Sequence, residues 1–191
     1  PSESYFYPFY EEAERLNLPI SFHVGTGYTG MMPLERLAHI THHKFHLSNV
    51  SAFTSLVTFQ VPAKFPKLRW GFIELTASWV PYALYYMRRI LAKSAPGASS
   101  QVAGSTTYEV PQDTLAKNNI YVACFVDEDL PAIIEHTGED NLLIGSDFVH
   151  HDHATELNFA GALQERVDRG DITAAAVRKM TYDNPRAFYG L

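Results

Sequence analysis

Residues 138–150 have the sequence GEDNLLIGSDFVH, and they give the clearest indication of the fold in this chain. Its central part, residues 141–147, is a short apolar run typical of a strand buried on both faces, and it ends on a serine and an aspartate. Three similar runs precede it, at residues 18–24, 68–74 and 119–126. Stretches with a helical pattern separate these runs, and strands that alternate with helices pair in parallel. The sequence therefore predicts an α/β fold built on a parallel sheet.

The stretches between the predicted strands are long enough for helices. The helical patterns cover residues 8–17, 48–60, 79–93, 129–137, 153–168 and 172–182, followed by a last turn at 186–189. The stretch from Gly25 to about His46 is predicted as a loop, because Gly25-Thr26-Gly27 ends the first strand. Residues 94–107 (SAPGASSQVAGSTT) are predicted as a flexible surface loop. We predict a single domain over residues 1–191, because domains usually have about 100–200 residues.

The composition fits a packed globular protein and excludes several classes. Apolar residues make up 46% of the chain, which is enough for a core. A single cysteine excludes an intrachain disulfide and a cysteine-based zinc site. The net charge of −6 argues against binding of nucleic-acid phosphates, and no apolar run approaches the ~18 residues of a membrane span. We therefore expect a small-molecule ligand, no nucleic-acid or membrane partner and, by default, a cytoplasmic location.

Charged or imidazole side chains stand at the end of each predicted strand. These residues are His23, Glu74, Asp127 with Glu128, and Asp147. In parallel sheets and barrels, ligands bind at the carboxyl ends of the strands. A charged group is costly inside an apolar strand, so one such group after each run indicates a shared polar pocket. The alternative is that polar residues simply mark the points where strands leave the core.

His23 and Asp147 together suit a divalent metal ion. Neutral imidazole and carboxylate are common ligands of Zn²⁺, Mn²⁺ and Fe²⁺. A catalytic zinc site typically has about three protein ligands and an open position. Taken singly, His23 is more simply explained as a structural or substrate-contacting histidine, and Asp147 as a helix N-cap.

The other histidines and the cysteine favour structural interpretations. A histidine cluster with helical spacing consists of His39, His42, His43 and His46. That spacing would suit a metal, but we favour a loop or short helix over the mouth of the pocket. His151-Asp152-His153 follows the last strand and is interpreted as the start of a helix. Cys124 lies in the middle of a strand, where a thiol is usually a small core residue.

Four segments resemble the amidohydrolase-2 branch of the metal-dependent amidohydrolase superfamily. Residues 138–150 match its signature G-x-D-x-[IL]-x-x-[GA]-S-D-[YF]-x-H. Residues 7–23 are similar to the helix and strand that lead to its strand-five histidine, and residues 65–74 to its strand-six segment. Residues 182–191 match its C-terminal N-x-x-x-x-Y-G-L ending. That branch includes the aminocarboxymuconate semialdehyde, resorcylate and carboxyvanillate decarboxylases, and the resemblance spans nearly the whole chain except residues 94–107.

The resemblance implies a (β/α)8 TIM barrel with a mononuclear divalent metal, zinc in the first place and manganese as the alternative. His23 would be the strand-five ligand, and Asp147 the strand-eight ligand that also shuttles a proton. His150 would help to shape the substrate pocket. We also assign Trp79, which stands close to the end of a strand, to substrate binding. The metal in such enzymes polarises a substrate oxygen or activates water.

Two features depart from the family pattern. The family's catalytic histidine at the end of strand six is replaced by Glu74, which we assign as a catalytic acid or base, because burial can tune the pKa of a carboxyl group. The strand-one ligand pair Glu/His-x-His is absent. A full barrel needs about 250 residues, and this chain supplies four strands. We therefore expect the C-terminal half of a barrel, strands five to eight, with an incomplete metal site and no turnover on its own.

The function predicted for the full-length protein is metal-dependent decarboxylation or hydrolysis of a small carboxylated or aromatic substrate. The alternative is a barrel that has lost turnover and serves as a binding or structural subunit, for which Glu74 is an argument. Because members of this family often dimerise, we expect a homodimer, with the aromatic-rich helix at residues 79–93 as a candidate interface.

Overall fold

Four parallel strands form one sheet, in which each strand pairs with the next along the chain. The computed structural model describes residues 1–24, 41–94, 113–148, 150 and 156–191, and the side chains of all of these except 41–46 and 88–94. The strands are β1 (Ile20–His23), β2 (Trp70–Ile73), β3 (Ile120–Cys124) and β4 (Leu142–Ile144). The predicted α/β class with a parallel sheet is confirmed.

Helices precede, connect and follow the strands. They are α1 (Tyr7–Arg15), α2 (Thr41–Thr58), α3 (Val61–Lys64), α4 (Trp79–Ser94), α5 (Thr114–Lys117), α6 (Leu130–Thr137), α7 (Phe159–Asp168), α8 (Ala174–Arg178) and α9 (Asn184–Tyr189). A 3₁₀ turn (Ser4–Phe6) precedes α1, and a π-helical turn (Lys179–Asp183) joins α8 to α9. Within the described parts of the chain, no helix combines the length and the hydropathy needed to cross a membrane.

The prediction of a loop as far as His46 is wrong for its last six residues, because α2 begins at Thr41. Residues 41–60 contain no glycine or proline, so nothing in this stretch stops the helix from extending towards its N-terminus. The short helices α3 and α5 were not predicted, because neither is long enough to show a helical period. Of the predicted loop at residues 94–107, Ser94 is the last residue of α4, and the rest lies outside the described residues.

One face of the sheet packs against the helices and carries most of the core. Successive side chains of a strand point to opposite faces, and in β2 it is Trp70 and Phe72 that join the helix-side core, both with no exposed surface. Phe53 and Leu56 of α2 are equally buried in the same cluster. The strands are apolar at successive positions because helices cover one face of the sheet and a second cluster of buried side chains covers the opposite face.

The second contact is made by Phe188 of the C-terminal helix α9. Its ring is fully buried in a small cluster with Tyr121, Ala123 and Leu143, on the face of the sheet opposite to the main core. Gly71 of β2 leaves the space for this ring, because a Cβ atom at that position would lie 2.5 Å from Cζ of Phe188. In a closed barrel this face of the sheet is the interior, which side chains fill in layers.

Hydrogen bonds to backbone groups fix α9 at the amino ends of the strands. The Asn184 amide donates to the carbonyl oxygens of Glu139 and Leu142 at 2.8 and 2.7 Å. Nε of Arg69, the residue before β2, donates to the carbonyl oxygen of Phe188 at 2.7 Å. The C-terminal segment therefore covers the end of the sheet opposite to the carboxyl ends of the strands.

We predict that Gly71→Ala lowers the free energy of unfolding by about 1–3 kcal/mol, since the added methyl group overpacks the contact with Phe188. Chemical denaturation measures this change. Gly145→Ala is the matched control, because a Cβ atom there meets Ala123 and Phe125 only at 3.9 and 4.0 Å. In a Phe188→Leu background, the cost of Gly71→Ala should shrink, because leucine ends short of the clashing atom. If Gly71→Ala lowers the free energy of unfolding equally in both backgrounds, the predicted overpacking against Phe188 is wrong.

Candidate metal centre

The parallel register brings the ends of β1 and β2 side by side. His23 is the last residue of β1 and pairs with Ile73, the residue before Glu74. As a result, Nε2 of His23 lies 2.7 Å from Oε2 of Glu74. The side chain of His23 is 55% exposed, whereas that of Glu74 is 14% exposed. The imidazole thus lies at the rim of the site and the carboxyl group below it.

A backbone carbonyl fixes the orientation of the His23 ring. Nδ1 of His23 lies 2.7 Å from the carbonyl oxygen of Val24. A carbonyl oxygen only accepts hydrogen bonds, so Nδ1 carries the proton and donates it. Nε2 is therefore the nitrogen directed to Glu74. Metal-binding histidines show the same arrangement, in which one ring nitrogen donates to a carbonyl and the other faces the ion.

Asp147 and His150 complete a compact group with Glu74. One ligand atom from each of these three residues lies within 4.8 Å of the others. Nδ1 of His150 lies 2.8 Å from Oδ2 of Asp147, whose side chain is 16% exposed. If both carboxyl groups are ionised, their repulsion at this separation is on the order of 3 kcal/mol at an effective dielectric constant of ~20. A divalent cation or shared protons would offset that repulsion.

The backbone at the candidate ligands is strained. The φ angles of Glu74, Thr76 and Asp147 are +59°, +55° and +46°. This left-handed region costs residues other than glycine roughly 1–2 kcal/mol each, and such conformations persist where the surrounding structure enforces them. Two of these three residues carry the carboxylates of the cluster. The strain therefore coincides with the site that the strand ends predict.

The two acids that follow β3 do not join this cluster. Asp127 is exposed. The Glu128 carboxylate instead accepts hydrogen bonds from the backbone N–H groups of Ala77, Ser78 and Phe125. The sequence marks Glu128 as a polar residue at a strand end, but not as a partner of the loop after β2, because that contact depends on the tertiary structure.

Trp79 and Cys124 both make core contacts. The indole Nε1 of Trp79 donates to the carbonyl oxygen of Thr76 at 2.9 Å, and its ring packs against Phe53 and Phe72. Its assignment to substrate binding stays a prediction. Cys124 is fully buried in β3, and burial raises the pKa of its thiol well above the usual value. The thiol therefore stays protonated near neutral pH, which agrees with the predicted core role.

The remaining histidine motifs lie outside the described side chains. His39 and the run His151-Asp152-His153 fall in ranges that the structure does not describe. His42, His43 and His46 belong to α2, but their side chains are not among those described. The predictions for these motifs are therefore unchanged.

Imidazole and carboxylate groups at the carboxyl ends of parallel strands are the arrangement found at the C-terminal face of (β/α)8-barrel proteins. The amidohydrolase family model matches the chain over residues 1–191, so the chain belongs to the amidohydrolase family. The predicted resemblance to the amidohydrolase-2 branch is confirmed. No curated protein gives a significant match.

Solved structures show the same fold at low sequence identity. An amidohydrolase from Mycobacterium avium subsp. paratuberculosis K-10 is 20% identical, with a TM-score of 0.72 over 100% of this chain and 46% of its own. A dihydroxybenzoic acid decarboxylase from Polaromonas sp. JS666, with bound manganese and the inhibitor 2-nitroresorcinol, is 15% identical, with a TM-score of 0.69 over 100% and 55%. A 5-carboxyvanillate decarboxylase from Sphingomonas paucimobilis is 13% identical, with a TM-score of 0.70 over 100% of this chain and 54% of its own.

The chain thus spans about half the length of the solved structures that it matches. Together with the four consecutive parallel strands, this coverage confirms the predicted fold class, part of a (β/α)8 barrel. The assignment of the four strands as five to eight stays a prediction.

Proposed function

We propose that the full-length protein is a metal-dependent decarboxylase that acts on a small carboxylated aromatic substrate. The observation that carries this proposal is the juxtaposition of Glu74, Asp147 and His150 within 4.8 Å, with Nε2 of His23 2.7 Å from Glu74. The choice of decarboxylation is supported by the activities named for the Polaromonas and Sphingomonas proteins, which share the fold.

The donor groups of this site fit a divalent cation. His23 and Asp147 are the proposed ligands. The group within 4.8 Å consists of Glu74, Asp147 and His150, and His23 is joined to it through Glu74, 2.7 Å from its Nε2. Imidazole nitrogen with carboxylate oxygen suits Zn²⁺ or Mn²⁺. A cation would neutralise the two carboxylates, of which Glu74 is 14% and Asp147 16% exposed. When bound, such a cation polarises and orients an oxygen-bearing substrate.

The side chains of the chain itself would then handle the proton. Decarboxylation of an aromatic acid requires a proton on the ring carbon that bears the carboxylate, after which CO₂ leaves and the electrons of the broken bond restore the ring. Asp147 is the proposed proton shuttle, because it is mostly buried and its Oδ2 lies 2.8 Å from Nδ1 of His150, from which it would take the proton that it passes to the ring carbon. Glu74 is the proposed second acid or base, since its Oε2 lies 2.7 Å from Nε2 of His23. General acid catalysis of this kind typically contributes about 10²–10⁴-fold to the rate.

We predict that the full-length protein binds one Mn²⁺ or Zn²⁺ per chain and that His23→Ala and Asp147→Asn weaken this binding by at least about 100-fold, the upper end of the loss seen for indirect partners of a metal. Isothermal titration of the metal-stripped protein and elemental analysis measure this. Asp168→Asn is the matched control, because Asp168 is exposed at the end of α7. Absence of metal from the wild-type protein, or wild-type affinity in Asp147→Asn, would contradict the proposed site.

The reaction class is tested by the product. With a panel of hydroxybenzoates, we predict that the metal-loaded protein releases CO₂ and the decarboxylated phenol, and that Asp147→Asn lowers the rate by about 10²–10⁴-fold. Trapping of CO₂ together with chromatography of the phenol measures both products. Hydrolysis of an amide or lactone without CO₂ would identify a hydrolase instead. Metal binding without turnover of either class would favour the binding-subunit alternative.

A further inference from the structure

The carboxylate of Glu128 joins two loops beside the candidate metal centre. It accepts hydrogen bonds from four donors, namely the N–H groups of Ala77, Ser78 and Phe125 and the hydroxyl group of Ser78, at 2.6–3.0 Å. Ala77 and Ser78 belong to the loop that follows β2, whereas Glu128 and Phe125 follow β3. Hydrogen bonds to an ionised acceptor are roughly twice as strong as neutral ones. The contact therefore holds the two loops together.

The loop held by Glu128 is the one that carries Glu74. Four residues, 75–78, separate Glu74 from the first residue of α4, so the position of Ala77 and Ser78 limits where Glu74 can lie. Both Glu74 and Thr76 have left-handed backbone conformations, which need support from outside the loop. The N–H groups at the start of a helix have no partner within that helix. Glu128 supplies the support and the partner at the same time.

A third element holds Glu128 itself. Nη1 of Arg166, on α7, donates to the carbonyl oxygens of Val126 and Glu128 at 2.5 and 2.7 Å. The side chain of Arg166 is 13% exposed, so this contact is shielded from solvent. A continuous path of hydrogen bonds therefore leads from α7 through the loop after β3 to the loop that carries Glu74.

We propose that Glu128 is a positioning residue of the metal centre. Its carboxylate fixes the backbone of residues 74–78, so that the Glu74 carboxyl group stays 2.7 Å from Nε2 of His23 and close to Asp147. This inference rests on the proposed function, because it assigns Glu128 a role in holding a metal-binding geometry. A residue with a purely structural role would lower the stability of the protein without changing how the remaining folded protein binds metal.

The test compares variants of the full-length protein. Glu128→Gln keeps the size of the side chain but replaces one acceptor oxygen with an NH₂ group that faces N–H donors. Ser78→Ala removes only the hydroxyl donor and serves as the milder variant if Glu128→Gln does not fold. Asp129→Asn is the matched control, since the adjacent Asp129 caps α6 through the Ala132 N–H group at 3.2 Å and has no part in the path. Mn²⁺ affinity and the electron paramagnetic resonance spectrum of bound Mn²⁺ are measured well below the melting temperature of each variant.

Hydrogen exchange of the metal-free proteins gives a second readout, on peptides that cover residues 74–79. We expect Glu128→Gln to weaken Mn²⁺ binding by about 10–100-fold, to alter the Mn²⁺ spectrum and to speed exchange in these peptides. Ser78→Ala should cause the same three changes to a smaller extent, and Asp129→Asn should cause none of them.

Two results would overturn the inference. One is wild-type Mn²⁺ affinity and wild-type exchange in Glu128→Gln, or in Ser78→Ala if that variant alone folds. The other is an equal loss of Mn²⁺ affinity in Asp129→Asn. If the wild-type protein binds no Mn²⁺, the proposed function fails instead. In that case, unchanged exchange at residues 74–79 in Glu128→Gln would by itself show that Glu128 does not hold the backbone of this loop.

Discussion

Parallel pairing is the constraint on which the rest of this structure depends. Because all four strands run in the same direction, their carboxyl ends meet at one edge of the sheet. The pairing of His23 with Ile73 places Glu74 beside the imidazole, and Asp147 reaches the same edge from β4. Phe188 covers the sheet face opposite the main core, towards the amino ends of the strands. A one-residue slip of β1 would turn His23 to the other face and separate it from Glu74.

The site brings together groups whose placement is unfavourable in the absence of a ligand. Two mostly buried carboxyl groups lie close together, on backbone conformations that favour glycine, and two more exposed imidazoles face them. Folding must supply the free energy for this arrangement from elsewhere, chiefly from the core around Trp70, Phe72 and Phe53. Strained and electrostatically unfavourable groups are typical of functional sites, where a ligand or a proton balances them.

The strands and the acids that end them could be predicted from the sequence, because both are local features. A continuous apolar run that is followed by His23 or Glu74 can be recognised, within a few residues, as a strand that ends at a polar group. The packing of Phe188 on Gly71 and the hydrogen bond from the Ala77 N–H group to the Glu128 carboxylate could not be predicted, since each joins distant parts of the chain. The sequence does not predict the start of α2 at Thr41 for a different reason: polar histidines interrupt an apolar pattern without interrupting a helix.

We propose that His23, Glu74, Asp147 and His150 form one metal centre at the carboxyl ends of the strands. Crystals of the full-length protein grown with Mn²⁺, with diffraction data collected on both sides of the manganese absorption edge, test it most directly. We expect an anomalous difference peak at bonding distance from Nε2 of His23 and from a carboxylate oxygen of Asp147. A peak bound only by other residues, or no peak at this edge of the sheet, would contradict it.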